Sequence, residues 1–132
     1  MTKKTIKGVL LDVENDKAEI VEFVPELKTY YRLLHCELID IVERKIGVSN
    51  GRYFDIVCDD EALLKNEPKI SAIDDMGSAM LCGSLLVVGL AKNGEEQSLT
   101  ESDAEFVMGK IQHMCTRLHP SGYKMLTQCE YE

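Results

Sequence analysis

Apolar residues alternate with polar ones near the start of the chain, a pattern that predicts paired β-strands. Residues 6–13 are apolar and rich in β-branched side chains, and residues 18–24 alternate between apolar and polar. The turn-forming residues between them include Asn15 and Asp16, which tolerate left-handed backbone. We therefore expect a β-hairpin here.

The same alternation returns twice further along the chain. Residues 36–46 and 53–58 flank Asn50-Gly51, and this dipeptide is a strong turn signal that predicts a second hairpin. Residues 81–89 are almost continuously apolar, which predicts a central strand covered on both faces. Residues 92–97 are polar and predict a loop.

Two segments have helical spacing instead. Leu27, Tyr30, Tyr31 and Leu34 predict a short amphipathic helix over residues 26–34, with Pro25 in its first turn and His35 at its end. Capping signals at Ser98 and Thr100 predict the start of a longer helix that runs to His119. Its apolar stripe consists of Ala104, Val107, Met108, Ile111, Met114, Cys115 and Leu118.

These elements together predict one α+β domain over residues 1–132. The expected architecture is a mostly antiparallel sheet, with the short helix and the long C-terminal helix packed on it. A chain of 132 residues has the length of a single domain. Residues 121–132 show little pattern, and we expect this tail to pack loosely or to add a strand.

The charge balance narrows the classes of partner. There are 23 acidic and 15 basic residues, so the formal net charge is −8. Binding to a phosphate backbone requires a face rich in Lys and Arg. We therefore expect that this protein does not bind a nucleic-acid backbone. An acidic surface suits a cationic partner or a divalent metal.

The cysteines and the apolar runs indicate a cytoplasmic protein. The chain has five cysteines and no C-x-x-C motif, a pattern that does not suit a disulfide framework. Its basic start lacks the apolar stretch of a signal peptide. The longest apolar run, residues 85–88, is far shorter than the ~20 residues that span a bilayer. We expect no membrane association.

An acidic cluster is the first candidate for chemistry. Asp59, Asp60 and Glu61 follow a strand-like run, and Asp74 comes later at a turn. Carboxylate oxygens are the ligands that Mg²⁺ or Mn²⁺ prefers, so Asp59, Asp60 and Asp74 are the candidate metal ligands. The favoured interpretation is simpler, because such residues also cap helices and complement the positive end of the helix dipole. A divalent cation thus stays an alternative, and the cofactor is unknown.

Cationic and aromatic residues form the second candidate. Arg32 lies in the short helix, and Arg52 and Tyr53 follow the second hairpin turn. Such side chains stack on and hydrogen-bond a planar anion, for example a nucleotide. They are the candidate ligand-binding residues, although the favoured interpretation of the nearby aromatic residues Tyr30, Tyr31 and Phe54 is that they are core or half-core residues.

Several segments resemble those of one uncharacterised family, a domain of unknown function in small proteins of Gram-positive bacteria, their phages and conjugative elements. The similar segments are residues 31–36, 39–42, 53–61, 63–65, Pro68 and 81–89. The most specific of them are the Asp59-Asp60-Glu61 junction and the Gly83-Ser84-containing strand. The resemblance brings no catalytic residues. It implies a mobile-element context, in which small acidic proteins often interfere with host systems.

The favoured function is that of a non-enzymatic binding protein of a phage or mobile element, which contacts a host protein or a small ligand. Three alternatives stay open. They are a nucleotide-sequestering protein that uses Arg32, Arg52 or Tyr53, a DNA-mimic inhibitor, and a metal-dependent enzyme that uses Asp59, Asp60 and Asp74. Exposed edge strands also leave a homo-oligomer open.

Overall fold

The computed structural model describes residues 5–46, 51–61, 70–73, 79–116 and 119–126. Within these ranges the chain is largely β, with short helices between strands. The strands are β1 (Ile6–Asp12), β2 (Lys17–Phe23), β3 (Ile39–Ile46), β4 (Arg52–Asp59), β5 (Ile70–Ile73), β6 (Ala79–Cys82), β7 (Leu85–Lys92), β8 (Glu95–Gln97), β9 (Ile111–Thr116) and β10 (His119–Leu126). The helices are α1 (Leu27–Leu34) and α2 (Glu101–Gly109).

The strands form two sheets. The first sheet has the order β2-β1-β7-β4-β3, with β8 added to β7, and its neighbouring strands are all antiparallel. The second sheet has the order β6-β5-β10-β9, in which β5 and β10 are parallel and the other pairs are antiparallel. Both hairpins that the sequence predicts are present, as β1–β2 and β3–β4. Asp16 has a φ of 50° in the first turn.

The first sheet is the middle layer of the molecule. Val9 and Leu11 of β1 belong to a core that includes residues of α2 and of the second sheet. Leu10, between them, points to the other face and packs in a core with Tyr30 and Leu34 of α1. Because side chains alternate along a strand, β1 serves both cores at once.

Strand β7 is the central strand that the sequence predicts, although it is shorter than expected. Gly83, with a φ of 79°, separates β7 from β6, so residues 81–89 are not one strand. Leu85 and Val87 lie in one core, and Leu86 and Val88 lie in the other. Each fully buried side chain of this size contributes about 1.5–3 kcal/mol, so β7 anchors both layers.

Helix α1 matches its prediction closely. Leu27 is its first residue and Glu26 its N-cap, so Pro25 lies before the helix rather than in its first turn. His35 is the C-cap, in the left-handed conformation with a φ of 53°. Tyr30 and Leu34 form the buried stripe against the sheet.

The prediction of a long C-terminal helix is wrong, and with it the α+β class. Thr100 does cap a helix, since its side-chain oxygen accepts a hydrogen bond from the Asp103 backbone N–H. That helix ends at Gly109, and β9 and β10 follow it. Glycine is a poor helix former, which favours an end there. Strand β9 pairs with its neighbour β10, and β10 also pairs with the distant β5, so sheet pairing overrides the helical spacing.

Other expectations also need correction or fall outside the described ranges. Residues 92–97 are not a loop, because Asn93 and Gly94, with φ of 55° and 78°, form the turn of a β7–β8 hairpin. Residues 121–126 of the tail lie in β10, whereas 127–132 are outside the described residues. In the described part of the chain, no helix is long and apolar enough to cross a membrane.

Candidate functional site

A buried carboxylate of β4 accepts a hydrogen bond from the backbone of the β7–β8 hairpin. The last pair between β4 and β7 joins Asp55 and Val88. Beyond it, Gly89 pairs with Gln97 of β8 instead. Asp55 is 8% exposed, and its Oδ2 accepts a hydrogen bond from the Ala91 N–H at 2.7 Å. The carboxylate thus replaces the strand partner that Ala91 lacks on this side.

The residues after β8 fill the space beside β1. The Lys7 backbone N–H donates to Ser98 Oγ at 2.9 Å, and the Leu99 N–H donates to the Lys7 carbonyl oxygen at 2.9 Å. Leu99 is 4% exposed and belongs to the core that includes α2. The base of the hairpin is therefore fixed on both sides, and the residues that lead into this junction have a defined position.

A pocket of about 430 Å³ opens at this base. Its lining residues are Ile6, Pro25, Glu95, Glu96, Gln97 and Ser98. Ile6 and Pro25 supply an apolar wall, and Glu95 and Glu96 supply carboxylates. Among the described residues that line it, none is Lys, Arg or His. An acidic opening beside an apolar wall is the combination that suits an ammonium or guanidinium group on an aliphatic stem.

Tyr30 places a buried hydroxyl next to one of these carboxylates. Its side chain is 2% exposed and packs edge-on against Phe23, with 5.9 Å between the ring centroids. Burial raises the pKa of Tyr30, and the nearby Glu96 carboxylate raises it further. Within the described part of the chain, the hydroxyl makes no hydrogen bond of ordinary geometry. It is a neutral donor that faces a carboxylate of the pocket wall.

The structure does not bring the predicted ligand-binding residues together. Arg52 Nη1 donates to Asp103 Oδ1 at 2.9 Å, and its guanidinium lies 4.4 Å from the ring centroid of Phe106. Tyr53, the next residue of β4, is 47% exposed and points to the opposite face of the sheet. Arg32 is exposed on α1. Arg52 thus lies on a different face from the other two, and ligand binding by each stays a prediction.

Arg32 does line a second, more open depression of about 480 Å³, beside Lys28 and Thr29. Glu26 is also part of it, and its Oε1 lies 3.5 Å from Lys28 Nζ. Because basic and acidic side chains mix here, the depression does not favour one sign of ligand charge.

The predicted metal ligands are only partly described. Asp59 is 6% exposed, and its Oδ1 accepts a hydrogen bond from the Glu61 N–H at 2.9 Å, a local turn contact. Asp60 is exposed, and Asp74 lies outside the described residues. Among the described residues, no group of three or more His, Cys, Asp or Glu side chains is arranged to hold a metal ion. The site that combines Asp59, Asp60 and Asp74 stays a prediction.

A buried polar row crosses three strands of the first sheet. Leu85 pairs with Leu11 of β1 and with Cys58 of β4, so Ser84 lies between Asp12 and Asp59. All three side chains are buried, and Ser84 Oγ accepts a hydrogen bond from the Val13 N–H at 3.2 Å. Sequence patterns do not reveal this row, because it depends on strand register.

Asp12 organises the turn that follows β1. Its Oδ1 accepts hydrogen bonds from the Glu14 and Asn15 N–H groups, and its Oδ2 accepts one from Asn15 Nδ2 at 2.8 Å. His35 Nε2 lies 3.6 Å from the same Oδ2. Burial raises the pKa of Asp12, but the Asn15 hydrogen bonds and His35 outweigh it, so the pKa lies below its ordinary value. These contacts stabilise the turn and the end of α1.

The pocket was missed at the level of sequence, although one signal for it was present. Asn93-Gly94 is a favoured two-residue hairpin turn, and recognising it would have placed Glu95 and Glu96 on a strand. The approach of Ile6 and Pro25 to that strand is a tertiary fact that no local pattern contains.

The fold and site thus define a largely β protein of two sheets with an acidic pocket at a hairpin base. Residues 6–115 match the family model described as a domain of unknown function, DUF3846. This match covers most of the chain, which belongs to that family. No curated protein and no solved structure is significantly similar to it.

Proposed function

We propose that this protein is a non-enzymatic binding protein whose acidic pocket receives a cationic side chain, lysine or arginine, from a protein partner. The observation that carries the proposal is the lining of the pocket. Two carboxylates, Glu95 and Glu96, stand beside the apolar Ile6 and Pro25, and the described part of the lining holds no basic residue. A cationic head would pair with the carboxylates, while its aliphatic stem would cover the apolar wall.

The surroundings of Glu96 support the same ligand class. The buried Tyr30 hydroxyl lies near this carboxylate, which raises the pKa of Tyr30. A cation that enters the pocket would find the Glu96 carboxylate beside a neutral Tyr30 hydroxyl, and no basic side chain among the described lining residues. Hydrogen bonds at Ser98 and Asp55 position the residues around the base of the pocket, and such positioning would lower the entropic cost of association.

The charge of the whole chain favours a basic partner. A formal net charge of −8 attracts a positively charged surface and raises the rate of encounter. As part of the same proposal, we assign the protein to a phage or other mobile element of Gram-positive bacteria, in the cytoplasm, where it would contact a host protein. The support for this context is the resemblance of its sequence segments to proteins from such sources.

The alternative functions have weaker support. A nucleotide-sequestering protein would use Arg32, Arg52 or Tyr53, yet Arg52 is engaged with Asp103 and Phe106, and the depression that Arg32 lines also contains the acidic Glu26. Tyr53 points away from Arg52, so the two cannot clamp one ring. A DNA mimic needs carboxylates spread over one face, whereas those of the pocket are paired beside apolar groups.

The test is calorimetric titration of the protein with a tetra-arginine peptide amide, with a tetraglutamine peptide as the neutral probe. We expect binding of the first peptide only. Glu96→Gln keeps the shape of the side chain and removes its charge, so it should weaken binding about tenfold, or about 1.4 kcal/mol.

The matched control is Glu105→Gln, which removes the same charge from an exposed position on α2, outside the pocket lining. It should change the affinity less than about twofold, since surface charges act weakly at a distance. Equal losses in the two variants would mean diffuse attraction to an acidic surface. Absence of binding to the wild-type protein would contradict the proposal directly.

A further inference from the structure

Strand β3 forms an outer edge of the first sheet. It pairs with β4 along its whole length, from Ile39 opposite Asp59 to Ile46 opposite Arg52. In the described part of the chain, no strand pairs with its other side. The Leu38 carbonyl oxygen faces inward, because it accepts a hydrogen bond from the Asp60 N–H. Backbone groups alternate in direction along a strand, so those of Ile41 and Glu43 face outward.

Two of these outward groups are held by side chains of β3 itself. The Ile41 N–H donates to Asp40 Oδ1 at 2.9 Å. The Glu43 carbonyl oxygen accepts a hydrogen bond from Arg44 Nη1 at 2.9 Å. Ile41 is 41% exposed at the same edge. The edge thus has one occupied donor, one occupied acceptor and an exposed apolar side chain between the two charged residues.

We propose that β3 is the docking surface for a second copy of this chain, which adds its own β3 in antiparallel orientation about a two-fold axis at Val42. In this register Val42 lies opposite Val42 of the second copy. Ile41 lies opposite Glu43 of the second copy, and the two residues exchange backbone hydrogen bonds. This register joins the Ile41 N–H to the Glu43 carbonyl oxygen of the second copy. In the single chain, these are the two groups that bond to the Asp40 and Arg44 side chains.

Charge complementarity selects the register. With the axis at Val42, Asp40 lies directly opposite Arg44 of the second copy, and the symmetry makes this ion pair twice. With the axis at Glu43, that residue would face its own copy and repel it. With the axis at Arg44, Glu43 would face Lys45, but the two Arg44 side chains would repel each other at the axis. With the axis at Ile41, Asp40 would face Val42 and gain no ion pair. The Ile41 side chains of the two copies become diagonal neighbours across the axis, which covers part of the exposed apolar surface.

Asp40 and Arg44 would exchange roles on association. In the single chain each side chain occupies a backbone group of its own strand, which protects a bare edge from indiscriminate pairing. In the pair of chains the backbone groups satisfy each other, and Asp40 and Arg44 satisfy each other across the axis. Asp40 and Arg44 would therefore disfavour pairing with unrelated strands and favour pairing with a second β3.

The test uses sedimentation velocity on the full chain and on Asp40→Arg and Arg44→Asp. We expect the wild type to sediment as a dimer. Each variant alone places like charges opposite each other at both pairs and should raise the dissociation constant at least tenfold. An equal mixture of the two variants should form a heterodimer, because every introduced charge then faces an opposite one.

A wild type that stays monomeric at all concentrations would overturn the proposal. So would a dimer that either single substitution leaves intact, or a mixture of folded variants that stays apart. If a single variant melts before the measurement, the double variant Asp40→Arg with Arg44→Asp restores both pairs. A dimer of the double variant supports the register, and a monomer overturns it.

Discussion

At the scale of single residues, buried carboxylates stabilise the places where strands end or separate. Asp55 accepts a hydrogen bond from the Ala91 N–H, just beyond the last residue pair between β4 and β7. Asp12 accepts hydrogen bonds from backbone N–H groups of the turn between β1 and β2. Each carboxylate accepts hydrogen bonds from backbone N–H groups at these positions, and a hydrogen bond to a charged group contributes about 1.5–3 kcal/mol.

Asp12 should make the stability of the protein depend on pH. Asp12→Asn is expected to lower the free energy of unfolding at neutral pH by about 1–3 kcal/mol, because the charged acceptor of Asn15 Nδ2 is lost. The pKa of Asp12 is lowered from 3.8 on folding. Its carboxylate therefore stabilises the fold above the unfolded pKa, and this contribution is lost as the pH falls through the folded pKa. Urea denaturation over a pH series measures the effect.

The difference between wild type and Asp12→Asn should accordingly shrink below about pH 4. Asp60→Asn, at an exposed position, serves as the control and should stay within about 0.5 kcal/mol of the wild type. A difference that stays constant or grows on acidification would show that Asp12 acts by shape rather than by charge.

Cys58 should be an unreactive thiol in the folded protein. Burial raises the pKa of Cys58 to about 11, and nearby Asp40 adds to this effect while Arg44 opposes it. At pH 8 only about one thiol in a thousand would be the reactive thiolate. We expect iodoacetamide to label the half-buried Cys36 first, as peptide mass mapping would show. Equal labelling of both in the native state would contradict this, whereas in urea both should react alike.

At the scale of elements, Gly8 of β1 lies very close to the backbone of β7 and to the Phe23 side chain. Phe23 belongs to the core that α1 covers. A Cβ atom on Gly8 would lie 2.7 Å from the Val87 carbonyl oxygen and 3.1 Å from the Phe23 ring. The carbonyl belongs to the central strand β7 and cannot move without disturbing both cores. Glycine at this position is therefore required by space rather than by backbone conformation.

Gly8→Ala should destabilise the protein by about 1–3 kcal/mol, the usual cost of overpacking. The matched control is Gly109→Ala at the end of α2, where an added Cβ meets nothing within 4 Å. Alanine favours helix over glycine, so the control should be neutral or stabilising by up to about 1 kcal/mol. Thermal melts compare the two variants, and similar melting temperatures would contradict the packing described for Gly8.

The elements that could be predicted from sequence are those whose partners are near in the chain. The β1–β2 hairpin and α1 follow from alternation, turn residues and helical spacing within short windows. The helical spacing that begins at Ala104 continues past Gly109 to Ile111, yet the chain turns there into β9. Strand β10 takes its place between β9 and β5, and that long-range pairing outweighs local propensity.

The candidate site was harder to predict, for the same reason. Glu95 and Glu96 are conspicuous only once Ile6 and Pro25 are known to stand beside them. Arg52 and Tyr53, adjacent in sequence, point to opposite faces because β4 is a strand. A residue's neighbours in the chain thus say little about its neighbours in a pocket of this fold.

At the scale of the whole molecule, the two proposed binding surfaces lie in different places. The acidic pocket lies at the β7–β8 hairpin base, and the proposed dimer edge lies along β3, two strands away from β7 across the first sheet. A partner in the pocket and a second copy at β3 would therefore not compete for the same strand. The net charge of −8 attracts a basic partner. Salt screens this attraction, so it should weaken the binding of that partner.

The central claim is that the pocket, and not the acidic surface as a whole, receives the cationic group. The most direct measurement is a titration of isotope-labelled protein with the tetra-arginine peptide, followed by amide chemical shifts. We expect saturable shifts concentrated at Ile6 and Glu95 to Ser98, with little change along α2. Shifts scattered over every acidic segment, or none at the pocket, would contradict it.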